Sequence, residues 1–404
     1  MRTIKVVGAG FSGLVTAYYL IKKGFQVQVY EKSSRAGGLI RTIHTQHGLV
    51  ETAANGILNS ARLETMCTDI GVSLQPTRRD GRKRFIFRGK PRQVPLNPSD
   101  IAKLALRLAL SSTSLRPRPF ESISDWGERV MGKAATNYLL APALGGIYAG
   151  DPDQLSASLI FGRAALPNHL QTNRPAKPRL LNGTVAPPDG MQQLIDRLCD
   201  YLGKAGVEFV FNHDARAKAG EPAIVCLSAR SASEYLADVA PEVSECLRRI
   251  EMLSLVTATC FFGPGAASLK GFGCLFPRDQ GFRARGLLFN DCIFDGRGPA
   301  RSETWIFGGA LDHEAVNLSD DELNQLIADE RRRFYGKSDE SLECHFTRWP
   351  NTLPHYSIEL ERILTTLPPP PKNFVLIGNY LGRIGLAKIF ERAAYAVDHF
   401  IEAA

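Results

Sequence analysis

The stretch TIKVVGAGFSGLVTAYYLIKKGFQVQVYEKSSRAGG, residues 3–38, has the pattern of a strand, a glycine-rich turn, a helix and a second strand. Gly8 allows a tight turn, Gly10 lets the backbone approach a pyrophosphate, and Gly13 lets the helix lie close to the strand. The pattern predicts a dinucleotide-binding turn, with the pyrophosphate at the N-terminus of a helix that begins at Phe11. The alternative is a tight turn that binds no ligand.

The end of the second strand and the loop after it indicate which dinucleotide binds. Glu31 stands where an acidic residue accepts the ribose hydroxyls, which does not separate NAD from FAD. The continuation EKSSRAGGLIRT, residues 31–42, resembles the second fingerprint of the FAD-dependent family that includes amine oxidases, carotene desaturases and protoporphyrinogen oxidases. This resemblance implies that FAD is the cofactor and that the loop runs beside its diphosphate and ribityl chain. The further cofactor-binding residues predicted in these two segments are Phe11, Ser12, Lys32, Arg35, Gly37, Gly38, Arg41 and Thr42.

Length and composition are those of a globular protein. The chain has 404 residues, 44 % of them hydrophobic, which suggests two or three domains with sizeable cores. The strand at Thr3 follows no charged segment of a signal peptide, and the apolar run before Lys22 and Lys23 is too short to span a membrane. We therefore expect a cytoplasmic protein, or one peripheral to the inner face of a membrane.

The cysteines predict neither a metal site nor a disulfide framework. No two of the eight lie within four residues of each other, and no Cys-x-x-Cys or cysteine–histidine cluster is present. We expect most of them to be small core residues.

Much of the positive charge lies in one segment of the chain. The net charge is +8, and the segment TRRDGRKRFIFRGKPRQ, residues 77–93, carries eight Lys or Arg and one Asp. Such a surface favours acidic ligands or anionic lipid, whereas no zinc-finger or helix-turn-helix pattern indicates nucleic acid. The alternative is a solvated hairpin around Asp80 and Gly81.

The order of patterns predicts an α/β chain. It consists of a Rossmann-like FAD-binding domain, a mixed-sheet substrate domain and a helical subdomain. Pro95 and Pro98 are expected to break the chain before a helix capped by Ser99 or Asp100. The predicted ranges are 1–75, 183–235 and 366–404 for the FAD-binding domain, 76–98 and 236–365 for the substrate domain, and 99–182 for the helical subdomain.

The C-terminal segment narrows the resemblance. VLIGNYLGRIGLAKIFERAAYAV, residues 375–397, resembles the C-terminal flavin motif of protoporphyrinogen oxidases. The segments 84–98, 141–162 and 352–362 also resemble that family, in the same order along the chain. The resemblance implies that the C-terminal motif holds the ring end of the flavin. The cofactor-binding residues it adds are Gly378, Asn379, Gly382, Gly385 and Leu386.

The same resemblance implies a porphyrinogen oxidase of heme biosynthesis, with hydride transfer to flavin N5, a porphyrinogen-like substrate and oxygen as acceptor. Asn55, Tyr356 and Tyr380 are the predicted catalytic residues. Several family members have an arginine at the position of Asn55 and a glutamine at that of His355, so the substrate is less firmly indicated than the cofactor. Two alternatives stay open: an amine oxidase or carotenoid desaturase-like flavoenzyme, and a non-catalytic FAD-binding homologue. The sequence leaves the oligomeric state open.

Overall fold

The computed structural model describes residues 3–110, 115–167, 170, 181–337, 339–382 and 384–403. Their strands are β1 (Thr3–Val7), β2 (Gln26–Tyr30), β3 (Thr42–His44), β4 (Leu49–Glu51), β5 (Ile57–Leu58), β6 (Gln75–Pro76), β7 (Arg84–Arg88), β8 (Lys90–Arg92), β9 (Thr184–Ala186), β10 (Glu208–Val210), β11 (Ala223–Val225), β12 (Met252–Phe262), β13 (Gly273–Leu275), β14 (Gly286–Phe289), β15 (Arg301–Gly308), β16 (Ser341–Pro354) and β17 (Phe374–Leu376). Their α-helices are α1 (Phe11–Lys22), α2 (Ala61–Asp69), α3 (Pro98–Leu110), α4 (Ile123–Val130), α5 (Lys133–Ala135), α6 (Ala141–Tyr148), α7 (Ala157–Ile160), α8 (Met191–Lys204), α9 (Ala229–Leu236), α10 (Pro241–Arg248), α11 (Asn290–Ile293), α12 (Asp320–Tyr335), α13 (Ile358–Thr366) and α14 (Leu386–Ala403).

A parallel sheet with the strand order β10-β2-β1-β11-β17 forms the first half of the fold. Val6 on the central strand is fully buried, as expected for a parallel sheet covered on both faces. Helices α1, α8 and α14 pack together beside this sheet, and residues from all three belong to one hydrophobic core. The sheet places the C-terminal ends of β1 and β2 side by side, which is where the glycine-rich turn and Glu31 lie.

A mixed sheet with the order β16-β12-β15-β14-β13-β7-β8 forms the second half. On one face, Trp305 and Phe307 pack with Leu323 and Ile327 of α12. On the other face, Thr257 Oγ1 and Trp349 Nε1 donate hydrogen bonds of 3.0 and 2.9 Å to Thr52 O. The sheet therefore covers the segment that follows the second glycine loop. Together the two sheets confirm the predicted α/β fold class, while the domain boundaries stay a prediction.

The helical segment differs in detail from the prediction. Helix α3 begins at Pro98, one or two residues before the predicted caps Ser99 and Asp100. Proline is compatible with the first helical position because the amide hydrogen it lacks has no partner there. Pro98 therefore starts the helix, and the prediction that it breaks the chain was wrong. Within the described residues, every helix is too short or too polar to cross a bilayer.

The cysteines correct another prediction. Cys260 and Cys344 face each other across the antiparallel strands β12 and β16, with Cα atoms 4.1 Å apart, and form a disulfide. Their separation of 84 positions in the sequence hid this neighbourhood, because strand register between distant segments cannot be deduced from cysteine spacing. Cys67, Cys226 and Cys274 are free and buried, as expected of core residues.

Three further features add to the sequence analysis or differ from it. The basic segment turns at Gly89, between β7 and β8, whereas the residues Asp80–Arg82, where the alternative interpretation put a hairpin, form a short 3₁₀ helix. Residues 352–354 end the long strand β16 instead of lying in a loop. Helix α13, which follows, begins after the capping residue Ser357.

Candidate functional site

The first glycine turn has three glycines with different structural constraints. Gly8 has a φ of +100°, and a Cβ there would lie 2.6 Å from Cys226 O. A Cβ on Gly13 would lie 1.8 Å from Gly8 O, so the close approach of α1 to β1 excludes any side chain. Gly10 has no such constraint: its φ of −68° and ψ of 177° suit any residue, and a Cβ would come no closer than 3.9 Å to Gly38 Cα. The absence of a side chain at Gly10 therefore leaves space that none of the described residues fills.

The N-terminus of α1 faces this space. The first amides of a helix have no intrahelical acceptor, and no side chain caps this one. The first turn also contains no acidic residue, so its partial positive charge is not neutralised. Open N–H groups beside a residue without a side chain fit the pyrophosphate of FAD.

The second glycine loop is fastened to the first. Gly37 N donates to Ala9 O at 2.8 Å, and Gly37 forms a parallel bridge with Gly10. The Arg35 guanidinium donates to the carbonyls of Gly38 and Ile40 at 2.7 and 3.3 Å. In this structure Arg35 holds the loop in shape. The predicted residues Lys32 and Arg41 are exposed beside it.

Glu31 links the two loops. Its Oε2 accepts a hydrogen bond of 2.8 Å from Ala9 N, and its Oε1 accepts one of 2.8 Å from Ser33 N. Ser33 Oγ donates to Oε1 as well, at 2.8 Å. An ionised carboxylate has about four acceptor sites, so about one remains for a ribose hydroxyl.

A buried charge network lies under the second loop. Glu51 accepts from Thr42 Oγ1 at 2.8 Å, from Met191 N at 2.8 Å and from Arg297 Nη1 at 3.2 Å. Thr42 Oγ1 in turn accepts from Gln192 N at 3.0 Å. Burial raises the pKa of Glu51 and lowers that of Arg297, and the contact between the two charges opposes both shifts. Thr42, predicted to contact the cofactor, therefore holds the N-terminus of α8 in this structure.

The C-terminal motif is held by a tyrosine from a distant segment. Tyr356 is fully buried, and its hydroxyl donates to the backbone carbonyl of Asn379. Its ring lies 4.9 Å, centroid to centroid, from that of Tyr148 at the end of α6. Tyr356 thus positions Asn379 from behind, whereas the sequence analysis placed its side chain in the substrate cavity.

Tyr380 points into the protein. A Cβ on Gly378 would lie 2.2 Å from the Tyr380 ring, so the ring folds back under that glycine. The Tyr380 hydroxyl is buried and, among the described residues, has no hydrogen-bond partner. Gly382 and Gly385 have φ values of +86° and +102°, which turn the chain before α14 begins at Leu386. Phe11 at the start of α1 packs edge-to-face on α14.

Asn55 lies apart from these tyrosines. It occupies a half-buried bend before Gly56 and β5, and a Cβ on Gly56 would lie 2.9 Å from Val185 O of β9. No hydrogen bond of the described residues joins Asn55 to Tyr356 or Tyr380. The catalytic roles of these three residues stay predictions.

A cavity of about 600 Å³ lies between the helical segment and one end of the mixed sheet. Ala141 and Gly145 of α6 line one side, and Arg278, Arg283 and Arg285 line the other. This volume is in the range of small-molecule sites. Asp153, Asp279 and Asp312 line it as well, so the cavity combines space with charged groups of both signs.

Sequence reasoning missed Glu51, Arg297 and Arg285. Glu51 carried a weak signal, as an acidic residue directly after the apolar run of β4. The arginines carried none, because their neighbours come from segments far away in the sequence.

The chain was compared with known proteins. A family model described as flavin-containing amine oxidoreductase matches residues 11–393. Protoporphyrinogen oxidase 2, chloroplastic/mitochondrial, of Arabidopsis thaliana is 24 % identical over 98 % of this chain and 93 % of its own length. Coproporphyrinogen III oxidase of Mycobacterium bovis is 23 % identical over 100 % of this chain and 98 % of its own.

Solved structures show the same fold. Cyclohexylamine oxidase from Brevibacterium oxydans superposes with a TM-score of 0.69 at 15 % identity, covering 99 % of both chains. Reduced UDP-galactopyranose mutase superposes with a TM-score of 0.74 at 13 % identity, covering 100 % of this chain and 96 % of the other. At such identities, the likeness concerns the fold alone.

Proposed function

The chain belongs to the family of flavin-containing amine oxidoreductases, and from that premise we propose that it oxidises a porphyrinogen to a porphyrin. Its cofactor is FAD, which the family implies and which the two glycine loops fit. When bound, FAD supplies the acceptor for hydrides that leave substrate carbon, and oxygen is the proposed final acceptor.

The resemblance to porphyrinogen oxidases over nearly the whole chain carries this proposal. Two such enzymes, one acting on protoporphyrinogen and one on coproporphyrinogen by name, match at 24 and 23 % identity along almost their full lengths. A cavity lined by arginines supports it, because porphyrinogens carry carboxylate side chains.

In this proposal, the residues of the chain bind FAD and orient it. The space at Gly10 and the N-terminus of α1 hold the pyrophosphate, and Glu31 fixes the two loops to each other and meets the ribose. Tyr356 holds the backbone at Asn379, beside the ring end of the flavin. Specificity then depends on the cavity, since the cofactor carries the difficult chemistry.

Anaerobic flavin reduction tests the proposal. The purified protein is expected to be yellow and to release FAD on heat denaturation. Protoporphyrinogen or coproporphyrinogen should bleach the flavin absorbance without oxygen, and air should restore it. Bleaching by a primary amine, or by a carotene, but by neither porphyrinogen would make the protein a flavoenzyme of another substrate class. Bound FAD that no substrate bleaches would make it a non-catalytic homologue.

We further propose that the protein meets an anionic membrane surface with α3 and with the basic segment 77–93, called the basic hairpin below after its strands β7 and β8. Arg82 and Lys83 are exposed and, among the described residues, form no salt bridge. The adjacent α3 exposes Ile101, Leu106 and Leu108, with exposed fractions of 44, 60 and 47 %. Basic groups beside exposed apolar side chains are typical of helices that lie in a membrane interface.

A further inference from the structure

The three arginines of the cavity differ in their partners. Arg278 forms ion pairs with Asp151 and with Asp153, the latter at 3.1 Å. Arg283 forms two hydrogen bonds of 2.9 and 3.0 Å with Asp312. These charges are neutralised within the protein, so they give the cavity little net attraction for an anion.

Arg285 has no such partner. Its Nε donates to Gly308 O at 2.8 Å, while its Nη2 is shielded from solvent and has no acceptor within the described part of the chain. No described carboxylate lies within ion-pair distance of it. Burial lowers the pKa of Arg285 to about 10, so the group is still a cation at neutral pH. Asp312 and Asp151 act on this half-buried cation only from a distance, so its shielded Nη2 still lacks an acceptor, which is unfavourable.

The guanidinium lies against the open side of α6. A Cβ on Gly145 would lie 3.9 Å from Arg285 Nη1, so the glycine leaves room beside Nη1, and Gly145 itself lines the cavity. Tyr148 lies roughly 5 Å further along the helix axis and packs on Tyr356. Tyr356 in turn holds Asn379. One helix therefore connects the guanidinium to the segment proposed to hold the flavin ring.

We propose that Arg285 binds a carboxylate of the substrate in this cavity. A carboxylate oxygen beside Nη1 would give Arg285 a charged acceptor, and a shift of the side chain that exposes Nη2 would let the second oxygen bind as well. The identity of this carboxylate rests on the proposed function: in a porphyrinogen it is a propionate side chain, held while a ring carbon faces the flavin. The anion site itself depends only on the geometry of the cavity.

The first test compares charged and uncharged ligands. Binding of a porphyrin dicarboxylate and of its dimethyl ester, neither of which can be oxidised further, is followed by the change in flavin absorbance. Arg285→Gln should raise the Kd of the dicarboxylate about tenfold, as expected for losing a charge-assisted hydrogen bond, and should leave the ester unaffected. Arg285→Lys should recover part of the loss. Arg283→Gln, which removes the same charge from an existing ion pair, should have the smaller effect.

The second test needs no porphyrin. Glutarate, a simple dicarboxylate, should raise the melting temperature of the wild-type protein and not that of Arg285→Gln. If it does so while no porphyrin binds, the anion site stands and the proposed function fails. If Arg285→Gln oxidises porphyrinogen with wild-type kinetics, the inference fails and the proposed function stands.

Three other outcomes would overturn the inference. An equal loss of acid and ester binding would show that Arg285 only supports the structure. Stabilisation by inorganic phosphate and not by glutarate would exclude a carboxylate site. A wild-type protein that responds to neither glutarate nor the dicarboxylate would have no anion site.

Discussion

Gly10 shows how a single residue reveals a ligand. Its backbone conformation is open to any residue, and a Cβ would meet nothing closer than 3.9 Å. Gly8 and Gly13, in contrast, must be glycine for the fold itself, because a Cβ at either would collide with backbone. The sequence pattern predicts all three glycines, but it cannot show which of them the fold requires and which leaves space for a ligand.

Gly10→Val should therefore abolish FAD binding and leave the fold intact. The side chain would occupy the pyrophosphate position, while the fold loses no more than about 1 kcal/mol at the helix cap. FAD content and urea unfolding of the apoprotein measure the two effects. Gly203→Ala is the matched control: it adds a Cβ in open space within α8 and should keep the flavin. A Gly10→Val protein with normal flavin content would show that the pyrophosphate lies elsewhere.

Tyr356 and Tyr380 should respond differently to loss of the hydroxyl. Tyr356→Phe leaves the half-buried Asn379 carbonyl without this donor, which should cost about 1 kcal/mol in the free energy of unfolding of the apoprotein. Tyr380→Phe removes a buried hydroxyl that has no partner among the described residues, so the apoprotein should be unchanged or more stable. Urea unfolding of both apoproteins makes the comparison. Equal destabilisation would contradict it, and weaker FAD binding in Tyr380→Phe would show that this hydroxyl contacts the flavin.

At the scale of elements, local patterns were predictable and long-range pairings were not. The glycine turn, α12 and the strands of the parallel sheet have signals within a few residues of each other. The partnership of β12 with β16 depends on register between segments almost a hundred residues apart, and the disulfide depends on that register. Arg285 was missed for the same reason, since only the folded chain shows that its Nη2 has no acceptor among the described residues.

The Cys260–Cys344 disulfide should matter only under oxidising conditions. Cys344→Ser should lower the free energy of unfolding by about 2–5 kcal/mol without reductant, because the cross-link closes a long loop. In dithiothreitol, the wild type and the variant should unfold alike. Cys344 is the better position to change, since a hydroxyl at the fully buried Cys260 would add a desolvation cost. A difference that persists in dithiothreitol would mean that the thiol, and not the bond, stabilises the strands.

Glu330 on α12 gives the loop beside the cavity a pH-dependent anchor. Its carboxylate accepts hydrogen bonds from Arg283 N and Ala284 N, and burial raises its pKa from 4.5 to about 7 against the opposing charges of Arg283 and Arg333. Between these values the folded state retains a proton that the unfolded state has lost. The contribution of Glu330 to the free energy of unfolding therefore decreases as the pH rises, by up to about 3 kcal/mol.

Glu330→Gln should thus gain stability relative to the wild type between about pH 5 and pH 8. Chemical unfolding across that range measures the difference. Glu322→Gln on the same helix is the control. The pKa of Glu322 is lowered, so its titration changes stability only below about pH 5. If the difference in the free energy of unfolding between Glu330→Gln and the wild type does not change with pH, Glu330 does not titrate in this range.

At the scale of the whole molecule, the net charge of +8 is concentrated where the basic hairpin meets α3. Binding to anionic vesicles should fall steeply with salt, because exposed charges are screened beyond about 8–10 Å at physiological ionic strength. Replacing Arg82 and Lys83 by Gln should weaken this binding in a flotation assay at low salt. The control replaces Arg216 and Lys218, two exposed basic residues of the loop between β10 and β11. If both double variants lose vesicle binding equally, the binding depends on the net charge of the protein and not on the basic hairpin.

The parallel sheet also has a consequence for how the protein is made. Strand β17 pairs with β11 but follows it in the sequence by the whole mixed sheet, so a ribosome adds β17 long after β11. Until then the nascent chain exposes the edge of β11, and α1 lacks its contact with Phe390. Unpaired strand edges in a growing chain invite aggregation, so chaperones are expected to hold this one. Cofactor loading should therefore follow translation, and flavin supply should influence the yield of folded protein.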